Sequence, residues 1–106
     1  MAWIYLTIAG IFEVVWAFAM KQSDGFTRPG STAITIVAMI VSFALLALAM
    51  RSLPLGTAYT IWTGIGAVGA FLVGIFILGE QANAMRIAAA LLIVSGLILM
   101  KLSSPA

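Results

Sequence analysis

Four long apolar stretches, separated by short polar segments, dominate the pattern of this chain. They cover residues 3–20, 31–50, 55–78 and 84–100. A helix that crosses a bilayer needs about 20 mainly apolar residues, and each stretch is close to that length. The stretches are continuous rather than alternating, which disfavours the strands of a membrane β-barrel. The pattern therefore predicts an all-α membrane protein with four transmembrane helices, forming a single domain over residues 1–106.

The polar segments predict where the helices end. Residues 21–30 contain Gly25, Pro29 and Gly30, which are typical of a loop. Residues 51–54 form a connection so short that the second and third helices must be antiparallel neighbours. The first apolar stretch has no basic leader and is longer than the core of a signal peptide. We therefore expect it to remain as a permanent span.

Composition narrows the possible functions. Hydrophobic residues make up 64% of the chain and charged residues 8%, whereas soluble domains are about half apolar and a quarter charged. There is no cysteine and no histidine, so the usual ligands of zinc and iron–sulfur centres and the usual catalytic bases are missing. A net charge of +2 is too small to indicate nucleic-acid binding. We expect no metal, no cofactor and no enzymatic activity.

Glu13 is the one acid inside any of the four stretches, near the middle of the first. A carboxylate at the bilayer centre costs about 2.5–3.5 kcal/mol on insertion scales. Such a residue is expected to have a use, which can be to take up a proton, to hold a cation, or both in turn. The chain has no phosphate-binding loop, so the energy for transport would come from an ion gradient.

Residues three or four apart on a helix share a face, and this spacing predicts which residues lie near Glu13. Gly10 and Trp16 share its stripe on the first span, while Tyr59 and Trp62 share a stripe on the third. Aromatic faces attract cations, so a cation-binding site is predicted. Interfacial anchoring remains an alternative for Trp16, and ordinary helix packing for Tyr59 and Trp62. Ser42 is a deep polar group of the second span, and its hydroxyl can instead bond to its own helix.

Small residues indicate close helix contacts. Gly64, Gly66 and Gly69 lie together in the middle of the third span, where they permit either tight packing or a hinge. Ala89 and Gly96 are seven residues apart on one face of the fourth span, a spacing that suits a seam between helices, including a dimer seam.

The distribution of basic residues gives almost no orientation signal. The side of the membrane that holds both termini carries Arg51 and Lys101, while the other side carries Lys21, Arg28 and Arg86. Because the positive-inside rule depends on such a difference, the chain is predicted to insert in both orientations. Two inverted copies would then form a homodimer with two Glu13 side chains in one cavity, titrating as a coupled pair.

Two segments resemble the small multidrug resistance family, and the resemblance extends over nearly the whole chain. They are GIFEVVWA at 10–17 and LPLGTAYTIWTGIG at 53–66, with Trp3, Met20 and Lys21 in addition. Within that family the chain is similar to the guanidinium-exporter subtype, because Trp16 stands where exporters of larger cations typically have a small residue.

The resemblance implies an antiparallel, dual-topology homodimer in the bacterial inner (plasma) membrane. It implies antiport by alternating access, in which protons and guanidinium compete for Glu13. It further implies that Trp16, Ser42, Tyr59 and Trp62 surround Glu13, that the glycine-rich third span bends, and that the fourth span forms the dimer seam.

Three alternatives stay open at this point. The first is an exporter of quaternary ammonium or other lipophilic cations by proton antiport, which Trp16 disfavours by filling space. The second is a subunit of a proton-conducting ring, which also carries one acid in mid-membrane but on a two-helix hairpin. The third is a structural or regulatory membrane protein, which would leave Glu13 without a role.

Overall fold

Four helices account for most of the molecule. A computed structural model describes residues 1–104. The helices are α1 (Ala2–Gln22), α2 (Pro29–Ala49), α3 (Leu55–Phe76) and α4 (Ala84–Ser103). Each is long and apolar enough to cross a membrane, so the predicted all-α class and the four spans are confirmed.

Loop residues explain where α1 ends and α2 begins. The buried Ser23 hydroxyl donates a hydrogen bond to the Met20 carbonyl at 2.6 Å and accepts one from the Phe26 amide at 3.0 Å. Asp24 and Phe26 have φ values of 50° and 67°, which reverse the chain. Pro29 and Gly30, which the sequence placed in the loop, instead form the first turn of α2. Proline suits that position because its missing N–H would have had no partner in the first turn.

Helices α3 and α4 begin at residues 55 and 84, as predicted, but their C-terminal ends differ from the predicted ones by two or three residues. Helix α3 ends at Phe76 rather than at residue 78, and Gly79 follows with a φ of 70°. This turn lets the Glu80 amide donate a hydrogen bond to the Gly74 carbonyl at 2.8 Å. Helix α4 begins after Asn83, whose side chain accepts a hydrogen bond from the Arg86 amide at 2.9 Å, and continues three residues beyond residue 100.

The packing is uneven across the four helices. Helix α1 packs against α2 and α3, and α3 packs against α4. The core lies towards the end of the bundle that holds the α2–α3 connection, and its members are Leu6, Ala9, Leu46, Ala49, Leu53, Ala58, Ile61 and Trp62. No residue of α4 is buried within the described chain.

The molecule is flat, with extents of 43 × 34 × 16 Å. Its smallest dimension is little more than the 10–12 Å diameter of one helix. The four helices of the chain therefore form a flattened arrangement.

Candidate functional site

The Glu13 carboxylate lies against α3 at Gly66. A Cβ atom built on Gly66 would collide with the carboxyl carbon and both oxygens of Glu13. Glycine at this position therefore makes the room in which the carboxylate sits. In the packing, Gly66 accepts the side chain of Glu13, and its part in a hinge remains a prediction.

A buried hydrogen-bond chain joins three helices one turn from Glu13. The Trp62 indole Nε1–H donates to the Ser42 hydroxyl at 3.0 Å, and that hydroxyl donates to the Ala9 carbonyl at 2.7 Å. In an α-helix the carbonyl of residue 9 also accepts the amide of residue 13. Ser42 is therefore bonded to the turn of α1 that carries Glu13, and not back to its own helix.

A row of aromatic rings extends beside these hydrogen bonds. Phe43 links Trp16, at 6.3 Å between ring centroids, to Trp62, at 5.6 Å. Trp62 in turn packs against Tyr59 at 5.5 Å. The rings meet at edge-to-face or tilted angles, which are favourable arrangements for aromatic pairs. Sequence reasoning missed Phe43, although its position next to Ser42 on α2 was an available signal.

Two buried polar atoms near the site have no hydrogen-bond partner in the described part of the chain. They are the Glu13 Oε1 acceptor and the Trp16 Nε1–H donor. No hydrogen bond joins the Trp16 indole to this carboxylate oxygen in the structure. An unpaired buried acceptor costs about 1–3 kcal/mol, and more when it is charged, so the arrangement is suited to receiving a donor from a ligand or a proton.

The remaining predicted glycines serve helix contacts. The Cα of Gly10 faces the side chain of Ile65, which fills the space next to it. Gly64 faces Leu97 of α4, and Gly69 faces Val14 of α1. Helix α3 is continuous through Gly64, Gly66 and Gly69. The structure thus shows close packing at these positions, and the hinge remains a prediction.

The predicted seam residues of α4 are exposed. Ala89 and Gly96 have no buried neighbours on α4. Gly96 borders a groove of about 510 Å³ between α3 and α4, which reaches Tyr59 at one end. The exposure of these residues does not test the dimer seam, which remains a prediction.

A family model described as Small Multidrug Resistance protein matches residues 1–93. The chain belongs to the Small Multidrug Resistance family. The resemblance seen in the sequence is thereby confirmed. Similar relatives include the guanidinium exporter of Escherichia coli (strain K12), which is 61% identical over 104 residues, covering 98% of this chain and 99% of that protein. The guanidinium exporters of Citrobacter freundii and Salmonella typhimurium are each 58% identical over the same length, with the same coverage.

Membership of the Small Multidrug Resistance family agrees with the architecture. The chain has four helices that can span a membrane and has bacterial relatives, so it is a multi-pass protein of the inner membrane. The relatives are named as exporters, and exporters are transporters. Within residues 1–104, no group of three or more acidic side chains could hold a metal ion.

The hydrogen bonds of Ser42 are expected to contribute to the stability of the protein. We expect Ser42→Ala to lower the free energy of unfolding by about 1–3 kcal/mol, because it leaves the buried Trp62 indole N–H without an acceptor. Thermal unfolding of the purified protein in detergent measures this loss. Ser95→Ala is the matched control, since the exposed Ser95 hydroxyl donates its hydrogen bond to the Leu91 carbonyl of its own helix. Equal stability of the two variants would contradict the prediction.

Proposed function

We propose that this protein exports guanidinium in exchange for protons and is a transporter rather than an enzyme. The observation that carries the proposal is the buried Glu13 Oε1, which has no hydrogen-bond partner among residues 1–104. A carboxylate can accept paired hydrogen bonds from a planar cation with several N–H groups. The names of the relatives, which are 58–61% identical, support guanidinium as that cation.

Protons and guanidinium would use the same atoms of Glu13. A protonated carboxyl group has lost the negative charge that attracts the cation, so each ligand displaces the other. This competition is sufficient to couple the two fluxes if the site faces one side of the membrane at a time. A proton gradient can then drive guanidinium outwards.

The neighbouring side chains have separable roles in this proposal. Guanidinium has donors only, so it can pair with the carboxylate of Glu13 and stack on the ring of Trp16, but it cannot accept the indole N–H. That N–H is suited to the Glu13 carboxylate once the site closes. The Trp62–Ser42 hydrogen bond would hold α1, α2 and α3 in register around the carboxylate.

The transporting unit would be a homodimer with one copy inverted. One copy is a flat layer, and α4 buries none of its residues within the described chain. The nearly balanced basic residues permit insertion in both directions. Two inverted copies would supply the symmetry that many transporters obtain from inverted repeats within one chain. Helix α4, with Ala89 and Gly96, would form the seam, and Gly64, Gly66 and Gly69 would allow α3 to bend.

Liposomes that contain the purified protein and a pH-sensitive dye test the exchange. Guanidinium added outside should drive protons out of the lumen of the vesicles. Proton leakage without any added cation would instead indicate a channel or a ring subunit. Proton movement with a polyaromatic cation but not with guanidinium would favour the alternative, an exporter of lipophilic cations.

Trp16 separates the two kinds of exporter. We expect Trp16→Gly to weaken guanidinium binding roughly 30-fold, because a desolvated cation–π contact is worth about 2 kcal/mol. The same variant should accept bulkier cations, since removal of the indole opens space beside Phe43. Concentration series of guanidinium and of a quaternary ammonium ion in the same vesicles measure both effects. Unchanged affinity for both cations would exclude Trp16 from the site.

A further inference from the structure

A second carboxylate, that of Glu80, packs against a glycine of α3 as that of Glu13 does. A Cβ on Gly74 would meet the carboxylate of Glu80, just as a Cβ on Gly66 would meet that of Glu13. Residues 66 and 74 are eight positions apart on one continuous helix, which is about 12 Å along its axis. The Glu80 carboxylate is therefore placed outward from Glu13, at the end of the bundle that holds the α1–α2 and α3–α4 loops.

A pocket lies between these two positions. It has a volume of about 210 Å³ and separates the last turns of α1 and α3. Its α1 wall begins at Val14 and Ala17, immediately after Glu13, and ends at Lys21; Glu80 lines the opposite wall. A water molecule occupies about 30 Å³, so the pocket has room for a small cation with some of its hydration shell. Lys21 and Glu80 are both exposed, which opens the pocket to the aqueous side.

Electrostatics at this end favour a cation beside Glu80. The last carbonyls of a helix carry a partial negative charge, and the Glu80 carboxylate lies against Gly74 in the last turn of α3. Helix α3 has no basic residue in its last turn to offset this charge. Lys21 lines the same pocket, but within residues 1–104 it forms no ion pair with Glu80 at 4.0 Å or less. The combination is rich in hydrogen-bond acceptors, which a cation with N–H donors on several sides can satisfy.

The other charged groups at this end of the bundle are mostly basic, unlike Glu80. Lys21, Arg28 and Arg86 lie at this end of the bundle, against the acids Asp24 and Glu80. A cation that approaches this end meets a net positive surface, and Glu80 is the acid that lines the pocket, whose inner end is at Val14, the residue after Glu13.

We propose that Glu80 and the α1–α3 pocket form an outer cation-binding site, which holds guanidinium on its way between the water and Glu13. This inference rests on the proposed function. In an inverted homodimer each side of the membrane would have one such site, so a cation would meet a Glu80 carboxylate both when it enters and when it leaves.

Transport kinetics in the vesicles test this site. We expect Glu80→Gln to raise the KM for guanidinium roughly threefold to tenfold, because the local concentration of the cation falls, while the maximal rate stays near that of the unchanged protein. Gly74→Ala should have the same effect. Its methyl group would meet the movable end of Glu80 and push the carboxylate out of place, and alanine favours the helix.

Asp24→Asn is the matched control. It removes the same charge at the same end of the bundle, but Asp24 does not line the pocket. An unchanged KM in Glu80→Gln would overturn the proposal, and so would equal increases in Glu80→Gln and Asp24→Asn, which would indicate a general surface-charge effect. Guanidinium-driven proton release by the unchanged protein decides the proposed function separately, whatever Glu80→Gln does.

Discussion

Glu13→Gln should abolish guanidinium-driven proton release from vesicles. Glutamine keeps the size and the hydrogen-bonding oxygen of the side chain but has neither a negative charge nor an exchangeable acidic proton. Loss of one partner from a buried charge pair costs about 2–5 kcal/mol, which is roughly 30-fold or more in affinity. The effect on exchange is larger than the effect on binding, because coupling requires the same group to carry the proton.

Glu13→Asp is the informative companion variant. Aspartate retains the charge and the proton but withdraws the carboxylate from Gly66 by one methylene group, so exchange should persist with weaker guanidinium binding. Both variants can be compared in the pH-dye vesicles after equal amounts of folded protein have been verified by gel filtration. Proton exchange that survives in Glu13→Gln would exclude Glu13 as the shared site.

Gly66→Ala should reduce guanidinium transport at least tenfold while leaving the protein folded. The added methyl group would occupy the position of the Glu13 carboxyl group, so the carboxylate must leave its place against α3. The expected loss corresponds to about 1.4 kcal/mol or more. Folding should not suffer greatly, because alanine is favoured over glycine in a helix interior by about 1 kcal/mol, and this offsets part of the strain.

Gly56→Ala is the control for this substitution. Gly56 lies in the first turn of α3 and has no atom within 4 Å of the position that a Cβ would take. It should transport guanidinium at the normal rate. Guanidinium titrations of both variants, with thermal unfolding measured in parallel, separate a displaced carboxylate from a destabilised helix. Normal transport by Gly66→Ala would show that the contact between Glu13 and Gly66 is dispensable.

The sequence was sufficient to predict the helices because each boundary has a local cause. Continuous apolar stretches of the right length set the four spans, and Arg51 to Pro54 marked the turn between α2 and α3. Pro29 was misplaced because proline breaks a helix in its interior but is well suited to its first turn. Gly79 marked the end of α3, yet Ile77 and Leu78 are apolar and concealed that the helix stops before them.

The candidate site was only partly accessible from sequence. Helical spacing brought Trp16 to Glu13 and Tyr59 to Trp62, but it does not determine which helix faces which. The bonds from Trp62 to Ser42 and from Ser42 to Ala9 join three helices, and Phe43 packs between tryptophans of two others. Such contacts depend on the rotation of each helix about its axis. The same limit explains why the contact between Gly66 and the Glu13 carboxylate could not be read from the sequence.

Helix α4 is unlike the other three in what constrains its sequence. None of its residues is buried by the rest of residues 1–104, so the fold of α1 to α3 demands little from it beyond an apolar character and a few contacts with α3. A screen for stability of the single chain would therefore find α4 tolerant of most apolar substitutions. Intolerance that appears in a screen for function but not in the screen for stability would report on what lies beyond the chain, and would map that contact residue by residue.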